Sequence, residues 1–375
     1  VLPDFRLEKY FSTWEFTARH HMTASDAESL SLHELLVMAT PEEREAFESM
    51  SLGYTETFGA PDLRETIATL YEQRQAEDVL CFAGASEGIF AANSVILDKD
   101  SHAIVITPNY QSHETLPLAI CEVTGIPLDP DDGWSLDMDR IAKAIRPDTR
   151  LVTINFPHNP TGTILPIDRY HALIALCRTH GIYILHDEIF RGLGATGTRH
   201  LPCITDLYER GLSLNVMSKS YGLPGLRIGW IACADADIIA RMERLKHYLS
   251  ICNSGPSERL ARIALRNSDT LLGRNCSIID ENLPRWDRFF ARYPDLFDWQ
   301  RPDGSCMAFP RYRGAHGVER FCRTLVEESG VLFLPGSIYR SELNATPTDR
   351  FRLGFGRRGL EDGLAALEAH LMKQS

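Results

Sequence analysis

Only six lysines stand against thirty-three arginines in this chain, and one of the six, Lys219, occupies an unusual setting. A short apolar run ending in Asn215-Val216-Met217 leads into Ser218-Lys219. The turn Gly222-Leu223-Pro224-Gly225 follows, and Arg227 then opens a second apolar run over residues 228–232. This pattern puts an ammonium at the mouth of a strand, with a guanidinium eight residues on, across a turn that folds back. A lysine there is a poor structural edge but a good Schiff-base former once its pKa is lowered. The plain alternative is a surface lysine snorkelling beside a turn.

Other polar groups fall at comparable places. Gly84-Ala85-Ser86-Glu87-Gly88 joins an apolar run, 79–83, to a helical run, 89–97. Free N–H groups and the helix dipole converge on an anion at such a junction. Pro108-Asn109-Tyr110 follows the run 103–107, Asn159-Pro160-Thr161-Gly162 follows 151–155, and His186-Asp187-Glu188 follows 182–185. Arg352 sits inside the run 351–355. Open parallel sheets bind ligands at the carboxyl ends of their strands. Each stretch alone has a modest explanation as a turn, cap or surface ion pair. With Lys219 they match what pyridoxal phosphate requires: a lysine, an acid beside the pyridine nitrogen, an aromatic face, anion contacts, and an arginine for the substrate carboxylate. There is no G-x-G-x-x-G fingerprint and no Walker loop. His158 and His186 flank these residues and read as structural.

The elements that must position these groups are legible from their periodicity. Runs apolar on both faces (103–107, 151–155, 182–185, 212–217) alternate with helical patterns (138–145, 167–180). That alternation predicts an α/β fold with a mainly parallel sheet between helices. Beyond residue 255 come long helical patterns, 257–267 and 271–293, then short strand-like pieces at 307–312, 331–334 and 351–355, and a closing helix from 360. We therefore expect a large domain over 41–255 and a smaller α+β domain over 256–375. Residues 1–40 form an N-terminal segment, whose aromatic-rich stretch 6–21 reads as an amphipathic helix lying over the small domain and the site.

Composition excludes several classes. A net charge of -12 argues against nucleic acid and anionic membrane surfaces, both of which need a basic footprint. No apolar run reaches the length of a membrane span. Nine cysteines are scattered without a C-x-x-C pair, which reads as reduced thiols, no structural zinc, and a cytoplasmic location. The first residues, Val1-Leu2-Pro3-Asp4-Phe5, carry no signal-peptide pattern.

In order along the chain, Tyr54 with Gly59-Ala60-Pro61-Asp62-Leu63-Arg64, Gly84-Ala85-Ser86-Glu87, Asn159-Pro160-Thr161-Gly162, Asp187, Ser218-Lys219 with Arg227, and Arg352 resemble the class I/II aminotransferases. The resemblance covers nearly the whole length and implies the pyridoxal-phosphate fold type I. It implies Lys219 as the Schiff-base lysine and Asp187 as the partner of the pyridine nitrogen. Asn159 is implied on the ring O3′ and near the substrate, with Tyr110 stacked on the ring. Ala85, Ser86, Ser218 and Arg227 are implied on the phosphate, and Arg352 on the substrate carboxylate. Tyr54 is implied to reach the neighbouring subunit's phosphate, hence a homodimer with shared sites. The partners are then an amino acid and a 2-oxo acid.

Three positions depart from the family. Phe190 stands where a tyrosine usually donates to O3′, Val216 replaces a hydroxyl that usually touches the phosphate, and the substrate loop reads Thr23-Ala24-Ser25-Asp26-Ala27-Glu28-Ser29. In motif the chain is most similar to the capreomycidine synthase-like branch, which implies elimination, cyclisation or oxidation of an arginine-like amino acid as the alternative to transamination. A cofactor-fold protein with no catalysis is the third reading, and the intact Lys219, Asp187, Asn159 and Arg227 set opposes it. Glu15, Asp26 and Glu28 are candidates to meet a cationic side chain, although carboxylates on helix faces are ordinarily solvated.

Overall fold

The computed structural model describes residues 2–374. A seven-stranded sheet holds the middle of the chain, built from β1 (Val79–Phe82), β2 (His102–Thr107), β3 (Glu122–Pro127), β4 (Thr149–Asn155), β5 (Tyr183–Asp187), β6 (Gly211–Val216) and β7 (Gly229–Cys233). The spatial order is β1-β7-β6-β5-β4-β2-β3. The pairs β3·β2, β2·β4, β4·β5 and β5·β6 are parallel, and β7 runs antiparallel to both β6 and β1. Burial on both faces follows from near-continuous β-branched sequence: every residue of β1, β2, β6 and β7 is buried. Helices such as Ile167–His180 supply the crossovers; Gly181, left-handed at φ 64°, ends that one, a geometry glycine adopts without Cβ strain.

Outside this sheet the strands are short. Met307–Ala308 and Leu334–Pro335 flank Phe351–Gly354 in an antiparallel set of three. They pack on an aromatic core that includes Trp286, Phe289, Phe290, Phe297, Phe321, Phe333 and Phe351. The helix Ser268–Arg292 lays one face of that core down over seven turns.

Three sequence expectations change in detail. The N-terminal helix α1 spans only Arg6–Trp14, not 6–21. His20–His21 instead pair in parallel with Val331–Leu332, using backbone groups that a continued helix would have kept to itself. The strand β3 was not expected, because an edge position leaves most of Glu-Val-Thr-Gly-Ile-Pro only partly buried and erases its apolar run. Finally, 307–312 and 331–334 each split into two-residue strands belonging to different sheets.

Candidate active site

The carboxyl ends of β1, β2, β4, β5 and β6 open on one edge of the sheet, and the residues singled out above follow them. A cavity of about 380 Å³ lies there. Ala85, Ser86, Tyr110, Asn159, Asp187, Ser218, Lys219 and Arg227 all line it. Two expected residues do not. Arg352 is buried directly behind Asn159, 3.3 Å from Nη1 to Oδ1, and Tyr54 is 91% exposed elsewhere on this chain.

Asp187 ends β5 and is nearly inaccessible. His113, in the helix α2 (Ser112–Leu118), bonds its Oδ2 through Nε2 at 2.8 Å, and the Ile189 N–H donates to Oδ1 at 3.3 Å. The neighbouring strand end is tied in by Asn155, whose amide donates to the Asp187 carbonyl at 2.8 Å and accepts from the Asn159 N–H at 2.9 Å. One strand end therefore fixes both a carboxylate and an amide against the cavity.

Lys219 donates to Ser25 Oγ at 2.9 Å. Enclosure by protein atoms lowers its pKa from the ordinary lysine value, against the pull of Asp26. That favours the neutral amine, the form that attacks carbonyl carbon. Tyr110 sits 5.1 Å from the Phe5 ring and is pushed by burial to a pKa of about 12.

At the helix start (Ala85–Ile96) Gly84 has φ 97°, and a Cβ built there would lie 2.5 Å from Arg227 Nη2. Glycine thus lets a guanidinium close over free helix N–H groups. Arg227 is itself left-handed at φ 52°, a conformation that costs energy for a non-glycine residue and is concentrated at ligand sites. A basic cradle, a deep carboxylate and an enclosed lysine in one cavity fit a phosphorylated pyridine aldehyde. Ala85, Ser86, Ser218 and Arg227 would hold its phosphate and Asp187 its ring nitrogen.

Sequence reasoning missed four contributors. His113 lies one helical turn beyond Tyr110, a spacing that could have revealed it. Ser25, within the loop 23–29, and Tyr339, whose hydroxyl donates to Asn159 Oδ1 at 3.1 Å, come from distant segments, and neither contact had a local signal. Glu8 of α1 joins Glu15, just past the end of that helix, in lining the cavity, whereas Asp26 pairs with Arg357 at 2.7 Å and Glu28 with Arg358 at 2.7 Å and Arg274 at 3.3 Å. Burial raises the Glu15 pKa, and Glu8 adds to the rise. Of the departures, Phe190 is buried in the apolar core and Val216 faces the cavity. His158 bridges Pro108 O at 2.8 Å and Thr161 Oγ1 at 2.9 Å, and His186 contacts Tyr170 and Phe156 O.

A mostly parallel sheet with these groups at its carboxyl edge defines a fold-type-I pyridoxal-phosphate enzyme. The chain belongs to the aminotransferase class I and II family, whose profile matches residues 26–362. It is 29% identical to capreomycidine synthase of Streptomyces vinaceus, over 99% of this chain and 94% of that one. It is 30% identical to a probable N-succinyldiaminopimelate aminotransferase of Mycobacterium tuberculosis, over 75% and 73%. Among solved structures, a PLP-dependent aminotransferase of Streptococcus suis superposes with a TM-score of 0.92 at 28% identity, covering 99% of this chain and 98% of the other. The PLP-dependent cyclase OrfR superposes with a TM-score of 0.90 at 25% identity, covering 100% and 98%. No described helix is long and apolar enough to cross a membrane.

Proposed function

We propose that the protein is a pyridoxal-phosphate-dependent aminotransferase that moves an amino group from an amino acid to a 2-oxo acid in a ping-pong cycle. The observation that carries this reading is Lys219: an enclosed amine with a lowered pKa, sharing one cavity with Asp187, Asn159 and the Gly84–Arg227 cradle. When bound, pyridoxal phosphate withdraws electron density from the substrate's α-carbon. Lys219 would hold the cofactor through Nζ and, as a free amine, would carry a proton to and from the substrate's α-carbon. Asp187, with His113 donating to it, would hold a proton on the cofactor's ring nitrogen. Arg352 grips the α-carboxylate, a planar fork suited to a bidentate partner. Its guanidinium donates to the Thr23 carbonyl at 2.8 Å through Nη2, which ties it to the segment that carries Ser25, the partner of Lys219.

A second reading is favoured by Glu8 and Glu15. Two carboxylates lining the cavity, one in α1 and one just past its C-terminal end, complement a cationic side chain, and the full-length similarity to capreomycidine synthase adds weight. On that reading the enzyme cyclises or eliminates on an arginine-like amino acid and retains pyridoxal phosphate.

One experiment separates the two. Purified protein loaded with pyridoxal phosphate is given a panel of amino acids, L-arginine included, without a keto acid. Transamination yields one equivalent of 2-oxo acid and of pyridoxamine phosphate per site. Turnover beyond one equivalent with pyridoxal phosphate intact rejects the aminotransferase reading in favour of the second, and failure to bind the cofactor rejects both.

A further inference from the structure

Tyr339 is buried at the back of the cavity wall, and its hydroxyl joins two groups to which the proposed function gives separate tasks. Arg352 Nη1 donates to the Tyr339 hydroxyl at 2.6 Å, and that hydroxyl donates to Asn159 Oδ1 at 3.1 Å. The direction of these bonds is forced. A guanidinium only donates, so the tyrosine oxygen must accept from it and its proton is left for the asparagine. Arg352 Nη1 also points a second N–H at Asn159 Oδ1, at 3.3 Å. Two donors converge on one end of the amide, and turning the amide over would set them against its NH₂ group.

The asparagine backbone is fixed as well, by Asn155, which also holds the Asp187 carbonyl. With backbone and oxygen both pinned, the amide nitrogen is the end left for the cavity that Asn159 lines. Phe190 brings no hydroxyl to that cavity and is buried in the same apolar core as Trp286 and Leu283.

We propose that Tyr339 is a positioning residue that locks Asn159 with its amide nitrogen facing the cavity, as a donor to the ring oxygen of the cofactor, and couples that donor to the positive charge of Arg352. This rests on the functional reading above. Hydrogen bonds in series polarise one another, so a cation at one end strengthens the N–H offered at the other.

The test is a spectrophotometric pH titration of the cofactor-loaded enzyme, following the visible absorbance of the bound cofactor. A donor on the ring oxygen stabilises its phenolate, so a weakened donor moves the apparent pKa upward. Tyr339→Phe should raise it by about half to one unit, a three- to tenfold change in proton affinity. Incorporating 3-fluorotyrosine at position 339, a stronger donor of nearly the same shape, should lower it, and covers the case in which Tyr339→Phe does not fold. Asn159→Ala is the control and should raise the pKa further than Tyr339→Phe. If Asn159→Ala raises the pKa while both changes at 339 leave it in place, the role of Tyr339 is overturned and the functional reading stands. If Asn159→Ala itself moves nothing, the assignment of Asn159 fails and the lock with it.

Discussion

A lysine becomes a nucleophile through its surroundings, and around Lys219 those are enclosure and a neutral partner. The Nζ bond goes to Ser25 Oγ, and the carboxylate of Asp26 is bonded to Arg357. On the proposed reading, Lys219→Ala removes both the covalent anchor and the proton carrier. Loaded protein should lose its visible absorbance band, and turnover should fall by several orders of magnitude. A variant with the parent spectrum and normal rate would mean that another lysine does this work. Lys219 was legible because its neighbours in sequence announced it: apolar run, Ser-Lys, glycine-rich turn, arginine. Tyr339 and Ser25 were not, because their contacts span 180 residues or more and left no pattern within any window.

At the scale of elements, two turns set the site and each makes a prediction. The turn before the helix Ala85–Ile96 depends on Gly84 having neither Cβ nor a preference against positive φ. Gly84→Ala forces a methyl onto the Arg227 guanidinium and strains the backbone by about 1–3 kcal/mol. Pyridoxal phosphate affinity, measured by equilibrium dialysis, should weaken about tenfold or more, and an unchanged Kd would show that this turn does not hold the phosphate. The second turn, after β4, is held by neutral His158, whose burial depresses its pKa to about 4. Between the unfolded value of 6.5 and about 4 the unfolded chain binds a proton that the folded one refuses. Stability therefore falls as pH drops through that window, by roughly 3 kcal/mol for this residue. His158→Gln, which can donate to Pro108 and accept from Thr161 without titrating, should flatten the acid limb of denaturant-unfolding free energy against pH. An identical slope would mean that His158 is not buried neutral. Elements with clear periodicity were readable throughout; β3 and the end of α1 were not, because an edge position and a pairing with residue 331 are decided by the rest of the chain.

The whole molecule presents a surface that one chain does not use. Leu52, Tyr54, Tyr248 and Ile251 are exposed, and they sit on two segments welded together from beneath. Buried Lys246 donates to the Thr57 carbonyl at 2.7 Å, the Cys81 carbonyl at 2.6 Å and Asn253 Oδ1 at 3.2 Å, while Thr55 Oγ1 donates to the Asn253 carbonyl at 3.0 Å. A braced surface that carries exposed apolar side chains is a natural partner surface. We propose that it meets a second copy and that Tyr54 completes the neighbour's cradle. If so, Tyr54→Ala and Lys219→Ala, each impaired alone, should complement when mixed. In a mixed dimer one site receives both defects and the other neither. Random exchange makes half the dimers mixed, so activity should rise toward about a quarter of the parent value. Tagged-subunit pull-down establishes exchange, and kinetics of each variant alone establishes the baseline. No recovery in a mixture proven to exchange would return Tyr54 to its own subunit and remove the shared site.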